Sequence, residues 1–248
     1  MIFIIVGIFS MVIWGFDIGI DFTGGLVAEY RFENGEQKVF KYGQISDEES
    51  AKIRQDFKEQ KAVEIRFERV GPSIGPELVK KTVYALTISL TLILFWIAYQ
   101  FKSIKFGISA IVATLHDSLI LLGAFSLLGH FFGAEIDFLF VTAMLTVLSF
   151  SVHDTIVVYD RIREMKKKES GEIYDMANRA LSETMVRSIN NSFTIVFMLT
   201  ALILLGGETT KWFAVALLVG TISGTYSSAF VAVPILVFWE EIEKKFKK

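Results

Sequence analysis

Six stretches of mostly apolar residues, at 2–16, 83–99, 106–128, 138–159, 192–205 and 212–239, limit what this chain can fold into. Each approaches the roughly 20 residues that carry an α-helix across a bilayer. More than half of the residues are hydrophobic, which is more apolar surface than one soluble core of this size can hide, so the excess has to face lipid. The pattern predicts a polytopic α-helical membrane protein with six transmembrane helices. The first run is short for a span, has no basic residues before it and no small-residue cleavage site after it. It reads as a retained helix with a trimmed start rather than a cleaved signal.

Charged residues fall between the runs. Lys102 and Lys105 follow the second; Arg161, Arg163, Lys166, Lys167, Lys168, Arg179 and Arg187 follow the fourth; Lys244, Lys245, Lys247 and Lys248 end the chain. The opposite short loops hold only Lys211, so the positive-inside rule predicts both termini in the cytoplasm and the segment 17–81 outside. A net charge of −2 points to no nucleic-acid partner, and the absence of cysteine excludes disulfides, thiolate metal sites and cysteine nucleophiles.

Three regions follow. Residues 1–23 form the first span and its exit; 24–78 form a small exported α+β domain; 79–248 form a five-helix bundle. Within the exported part, 26–33 and 62–70 have strand composition, and Ser46 with Glu49 has capping-box spacing that opens a polar helix. Gly71, Pro72, Gly75 and Pro76 mark a turn-rich return to the membrane. Around 172–186, Ile173, Met176, Ala177, Ala180 and Thr184 follow helical spacing. That segment is either a cytoplasmic amphipathic helix lying against the membrane or the bundle, or a simple connector.

Several spans carry more pattern than an anchor needs. Ala216, Gly220, Gly224, Ser228 and Ala232 recur every four residues, a small-residue ladder that lets another helix approach closely. Gly107, Ala110, Thr114, Asp117 and Ala124 share a stripe of the third span. Thr142, Thr146, Ser149 and His153 share a face of the fourth, and such polar faces are expected to turn inward.

Asp117 and Asp154 are the sharpest chemical features, because an intramembrane carboxylate costs about 2.5–3.5 kcal/mol on insertion scales and such residues commonly serve ion or proton movement. Each follows a histidine, His116 and His153, which either titrate or line and pack the bundle; neighbours in a helix point apart, so adjacency alone implies no hydrogen bond between them. Arg187, followed by Asn190 and Asn191, either pairs with Asp154 or snorkels to the headgroups. Asp160 and Arg161 read as a solvated helix end. No phosphate-binding loop, zinc-protease, nucleophile-elbow or dinucleotide motif is present, so no enzymatic activity, cofactor or metal is expected.

Taken in order, Gly19-Ile20-Asp21-Phe22-Thr23-Gly24-Gly25, Val70-Gly71-Pro72-Ser73-Ile74-Gly75, His116-Asp117, the run from Ser151-Val152-His153-Asp154 through Asp160-Arg161 to Glu164, and Arg187-Ser188-Ile189-Asn190 resemble the SecF family of protein-export subunits. The resemblance covers nearly the whole chain. It implies a bacterial inner-membrane protein of the resistance-nodulation-division superfamily, a partly ferredoxin-like exported domain, a SecD-type partner, the SecYEG channel and exported polypeptides as clients. It also implies use of the proton-motive force through Asp154 and Arg187, with Asp117 matching a further family aspartate. The family commonly has Asn where this chain has His153, and Thr where it has Asn191. Two other readings compete: a small-molecule or lipid exporter of the same superfamily, disfavoured by the compact exported segment, and a passive scaffold of the translocon, disfavoured by Asp154.

Overall fold

The computed structural model describes residues 2–71, 74–168 and 171–246, with the backbone alone at 208 and 209. It falls into two compact units, Met1–Asp17 with Leu86–Glu135 and Leu139–Lys248, and Ile18–Ala85 with Ile136–Phe138.

The smaller unit holds a short helix α2 (Ile20–Thr23), strands β1 (Gly25–Arg31), β2 (Gln37–Tyr42) and β3 (Val63–Val70), and helix α3 (Asp47–Glu59). The strands form one antiparallel sheet in the order β2-β1-β3. A small aromatic core joins sheet and helix: Tyr30 stacks on Phe57 at 4.2 Å, and Phe40 lies 4.7 Å from the same ring. The α3 capping box is complete, with Ser46 Oγ accepting from the Glu49 N–H and the Glu49 carboxylate accepting from the Ser46 N–H at 2.8 Å. That N–H, and after it the Ser46 hydroxyl, hold the Glu49 carboxyl below the usual carboxylate range. Strand β2 was not expected. It is an edge strand whose lysines and glutamine dilute the alternating apolar signal.

The Gly19–Gly25 motif acts locally in this unit. Gly19 N–H donates to the Ile136 carbonyl at 2.9 Å, and Asp21 Oδ2 accepts from the Phe138 N–H at 2.8 Å, so the motif straps down the 136–138 segment. Gly25 has φ +133°, and a Cβ there would lie 2.5 Å from the Tyr42 carbonyl oxygen, which requires glycine. Phe22 carries its carbonyl against Gly75, where a Cβ would overlap it; Gly24 caps α2, and Gly71 lies beside Ile74. Pro72 lies outside the described residues.

The larger unit is helical: α1 (Ile2–Ile13), the membrane part of α4 (Ile74–Phe101), α5 (Ile104–Phe132), α6 (Phe138–Lys168), α7 (Ile173–Leu205), α8 (Glu208–Ser227), a π-helical turn (Ser228–Ala232) and α9 (Val233–Phe246). Among the described residues, five helical stretches are long and apolar enough to cross a membrane, the last running through α8, the π turn and α9; α1 is apolar but only 12 residues long. Six full-length spans are therefore not seen among the described residues. Helix α1 packs on α5 where Gly7 meets Gly123 backbone to backbone, and Ser10 Oγ lies 2.7 Å from Ser126 Oγ.

Residues 173–186 are not a separate helix. They are the first turns of α7, and Ile173, Met176, Ala177 and Ala180 join a buried cluster with Ile162 and Met165 of α6 and Leu236 of α9. The apolar stripe thus packs against the bundle. The π turn precedes Pro234, which has no N–H to offer the Phe230 carbonyl four residues back; widening the turn is one way a helix absorbs that loss. Tyr159 reaches into this turn, donating to the Ala232 carbonyl at 3.2 Å.

Candidate functional site

The two intramembrane aspartates occupy adjoining hydroxyl cradles. Asp117, on α5, is completely buried and accepts from three serines, each at 2.6 Å: Ser151 of α6 to Oδ2, Ser223 of α8 to Oδ1 and Ser227 of α8 to Oδ2. Asp154, on α6, is 7% exposed and accepts through Oδ2 from Ser228 at 2.8 Å and from Ser188 of α7. A carboxylate deprived of water is tolerable only with such donors, since each unmet hydrogen bond in a low-dielectric interior costs free energy.

Local sequence explains the convergence. Ser223 and Ser227 are four apart, so both side chains leave one face of α8, and Ser151 precedes Asp154 by three, so one turn of α6 reaches both cradles. The ladder brings the backbones close. All five of Ala216, Gly220, Gly224, Ser228 and Ala232 are buried; a Cβ on Gly220 would overlap the Val147 side chain of α6, and one on Gly224 would lie 3.1 Å from Ser151 Cβ. Ser228 is both ladder residue and ligand to Asp154. Ser151 and Ser188 entered the sequence reading only as members of the family motifs, with no role, and Ser223 and Ser227 not at all; the four-residue spacing of Ser223 and Ser227 beside the ladder is the signal that was available.

Other expected residues separate. The stripe Thr142, Thr146, Ser149 and His153 faces out of the chain, not inward. The buried face of α6 is the neighbouring one carrying Val147, Ser151, Asp154 and Val158, because successive side chains point about 100° apart. For the same reason Arg187 does not pair with Asp154: α7 turns Thr184, Ser188 and Ser192 toward the bundle and leaves Arg187 and Asn190 exposed. Ser188 occupies the place beside Asp154. His116 does reach its neighbour, with Nδ1 3.2 Å from Asp117 Oδ1, against the expectation from helical spacing, and its ring lies alongside Tyr226. Asp160 is exposed near Arg163, while Arg161 bridges Glu164 at 2.5 Å and Glu183 of α7, tying the ends of two helices.

A cavity of about 290 Å³ adjoins the second cradle; Ser188 and Ser228 form part of its wall together with Phe193, Tyr226 and Phe230. Its lining is almost wholly apolar apart from hydroxyls. The arrangement can hold two carboxylates inside the helical unit, and the cavity, walled by residues of α7, α8 and the π turn, lies beside the two hydroxyls that hold Asp154.

Comparison with known proteins decides the family. Residues 49–242 match the family described as protein export membrane protein SecD/SecF, C-terminal. The chain belongs to the SecD/SecF family. It is 39% identical to the protein translocase subunit SecF of Thermobaculum terrenum over 97% of this chain and 90% of that one. It is 34% identical to the protein translocase subunit SecDF of Thermus thermophilus, matching 93% of this chain but only 35% of that longer protein. The crystal structure of SecDF from Thermus thermophilus, a translocon-associated membrane protein, superposes with a TM-score of 0.87 at 32% identity over 97% of this chain and 37% of that one.

Proposed function

We propose that this SecD/SecF family member is a SecF-type accessory subunit of the Sec translocase that couples proton movement to polypeptide export. The observation carrying this reading is Asp154: a carboxylate within an apolar helix, held among the described residues by hydroxyls alone, whose donors Ser188 and Ser228 line a cavity, on a helix whose neighbouring face is polar and exposed. The two donors come from α7 and the π turn, so a change in helix packing changes which hydroxyls meet the carboxylate, and that is the coupling this reading requires. Asp117, with three donors and no exposure, is the better-anchored member of the pair.

Arg187, Asn190 and His153 lie on faces turned out of this chain. In this reading those faces meet a SecD-type partner, which completes the relay and brings Arg187 into play. Thr142, Thr146 and Ser149 extend the same polar stripe, which would be costly against lipid. Partnership with SecD is supported by the SecDF relative, in which the matched region is joined to a longer chain. SecYEG and exported polypeptides are the further partners proposed.

The bilayer arrangement is part of the proposal. Residues 2–16 act as a sixth span, supported by the exposed apolar side chains Ile2, Phe3 and Val12 on the flank away from α5. Both termini lie in the cytoplasm of a bacterial cell with the protein in its inner membrane, and the α+β unit, taken as a partial ferredoxin-like domain, lies outside to contact emerging chains.

The test is translocation into vesicles holding this protein with its SecD-type partner and channel, with and without an imposed proton gradient. Asp154→Asn keeps size and removes the titration; insertion and partner binding are expected to persist while gradient stimulation disappears. Full stimulation in the variant would refute the relay.

A further inference from the structure

A second cavity, of about 480 Å³, opens at the end of the bundle where α4 turns into α5 and where α6 and α9 finish. Its wall carries five cations, Lys102, Lys105, Arg163, Lys166 and Lys167, against one carboxylate, Glu240. Lys105 is paired with Glu243, and Lys166 reaches both Glu240 oxygens at 2.6–2.7 Å. Arg163 donates to the Gln100 carbonyl at 3.1 Å and sits 3.9 Å from Asp160. Among the described residues, none pairs with the side chain of Lys102 or Lys167. The site therefore keeps a surplus of positive charge that its own carboxylates do not neutralise.

Two further features define what would fit. The first turn of α5 lines the cavity, and its N-cap Ser103 makes no side-chain cap hydrogen bond, so N–H groups of a 29-residue helix are left for an external acceptor. The floor is apolar: Phe101 and Phe106 stack at 4.9 Å, with Tyr159 edge-on to both. The level is that of a membrane surface. The spans end here, and Trp96 and Tyr99 are exposed on the last turns of α4, where aromatic side chains mark the headgroup region.

We infer that this cavity binds the phosphate headgroup of an anionic phospholipid. The phosphodiester lies among Lys102, Lys167 and the α5 N-terminus, and the glycerol and first acyl carbons lie over Phe101 and Phe106. A zwitterionic lipid brings its own cation into a site with a positive surplus, so a headgroup of net negative charge is selected. This inference is independent of the proton relay and of which side of the membrane the cavity faces.

The full chain would be reconstituted in phosphatidylcholine nanodiscs containing a minor share of phosphatidylglycerol, then extracted gently, and the lipid retained on the protein measured by native mass spectrometry. Phosphatidylglycerol is expected to be enriched over its bulk share, and Lys102→Gln with Lys167→Gln to cut that enrichment by at least about fivefold, the effect of one membrane-proximal lysine. Arg163→Gln, which keeps both lysines, should lower it in the same direction, and Lys211→Gln at the other end of the bundle should not. A thermal-shift arm compares inorganic phosphate in pure phosphatidylcholine with phosphatidylglycerol. Equal enrichment in wild type and the double variant overturns the inference, as does equal protection by inorganic phosphate, which would mark a free-anion site.

Discussion

Ser227 and Ser228 are chain neighbours that serve different carboxylates: Ser227 donates to Asp117 at 2.6 Å and Ser228 to Asp154 at 2.8 Å. They sit where α8 passes into the π turn. Rotation at that junction therefore withdraws a donor from both aspartates together, and Ser151 with Asp154, one turn apart on α6, makes the same link from the opposite side. The two cradles form one mechanical unit.

The two cradles should differ in stability. Asp117→Ala removes the acceptor of Ser151, Ser223 and Ser227, of which Ser227 also reaches the Gly224 carbonyl at 3.3 Å, whereas Asp154→Ala removes the acceptor of Ser188 and Ser228, of which Ser228 also reaches the Thr225 carbonyl at 3.0 Å; a typical hydrogen bond contributes about 1 kcal/mol. Thermal unfolding in nanodiscs should show the larger loss for Asp117→Ala. Equal losses would mean that the third donor contributes nothing.

The ladder makes a steric prediction. Gly220→Ala places a Cβ into Val147 and should destabilise the bundle by about 1–3 kcal/mol, as overpacking does, whereas Gly224→Ala meets Ser151 Cβ at 3.1 Å and should cost less. Val147→Ala should rescue Gly220→Ala. Additive effects in the double variant would deny that the two residues meet.

In the α+β unit, Ser46→Ala removes the α3 cap and should destabilise that helix by about 1 kcal/mol. Because the Glu49 carboxyl is held below its ordinary range, its contribution is present at neutral pH, above the unfolded-state pKa, and is lost as pH falls through the folded-state value. Hydrogen exchange of 47–59 in the full chain should quicken in the variant and, in wild type, on acidification. An acid response that survives Glu49→Gln unchanged would exclude this source.

Topology can be read with impermeant thiol reagents on a chain that has no native cysteine. Glu36→Cys and Gly207→Cys should label from outside intact cells, and Lys167→Cys should not. Labelling at Lys167 would reverse the orientation inferred from the basic loops.

The sequence by itself determined what depends on local pattern. Long apolar runs required a membrane bundle, Ser46 with Glu49 marked the start of α3, and Asp117 and Asp154 were conspicuous because a carboxylate among apolar residues is rarely incidental. What it left undecided was rotation about each helix axis. Thr142, Thr146, Ser149 and His153 have a consistent spacing, but spacing says only that they share a face, and packing turned that face outward. The same rotation on α7 put Ser188 rather than Arg187 against Asp154. Only the tertiary structure joined Ser151, Ser223 and Ser227 around Asp117. A hydroxyl's donor can be counted in a sequence, but which buried charge needs it depends on which helices pack closely enough to exclude water, and here the bare backbone at Gly220 and Gly224 permits that approach.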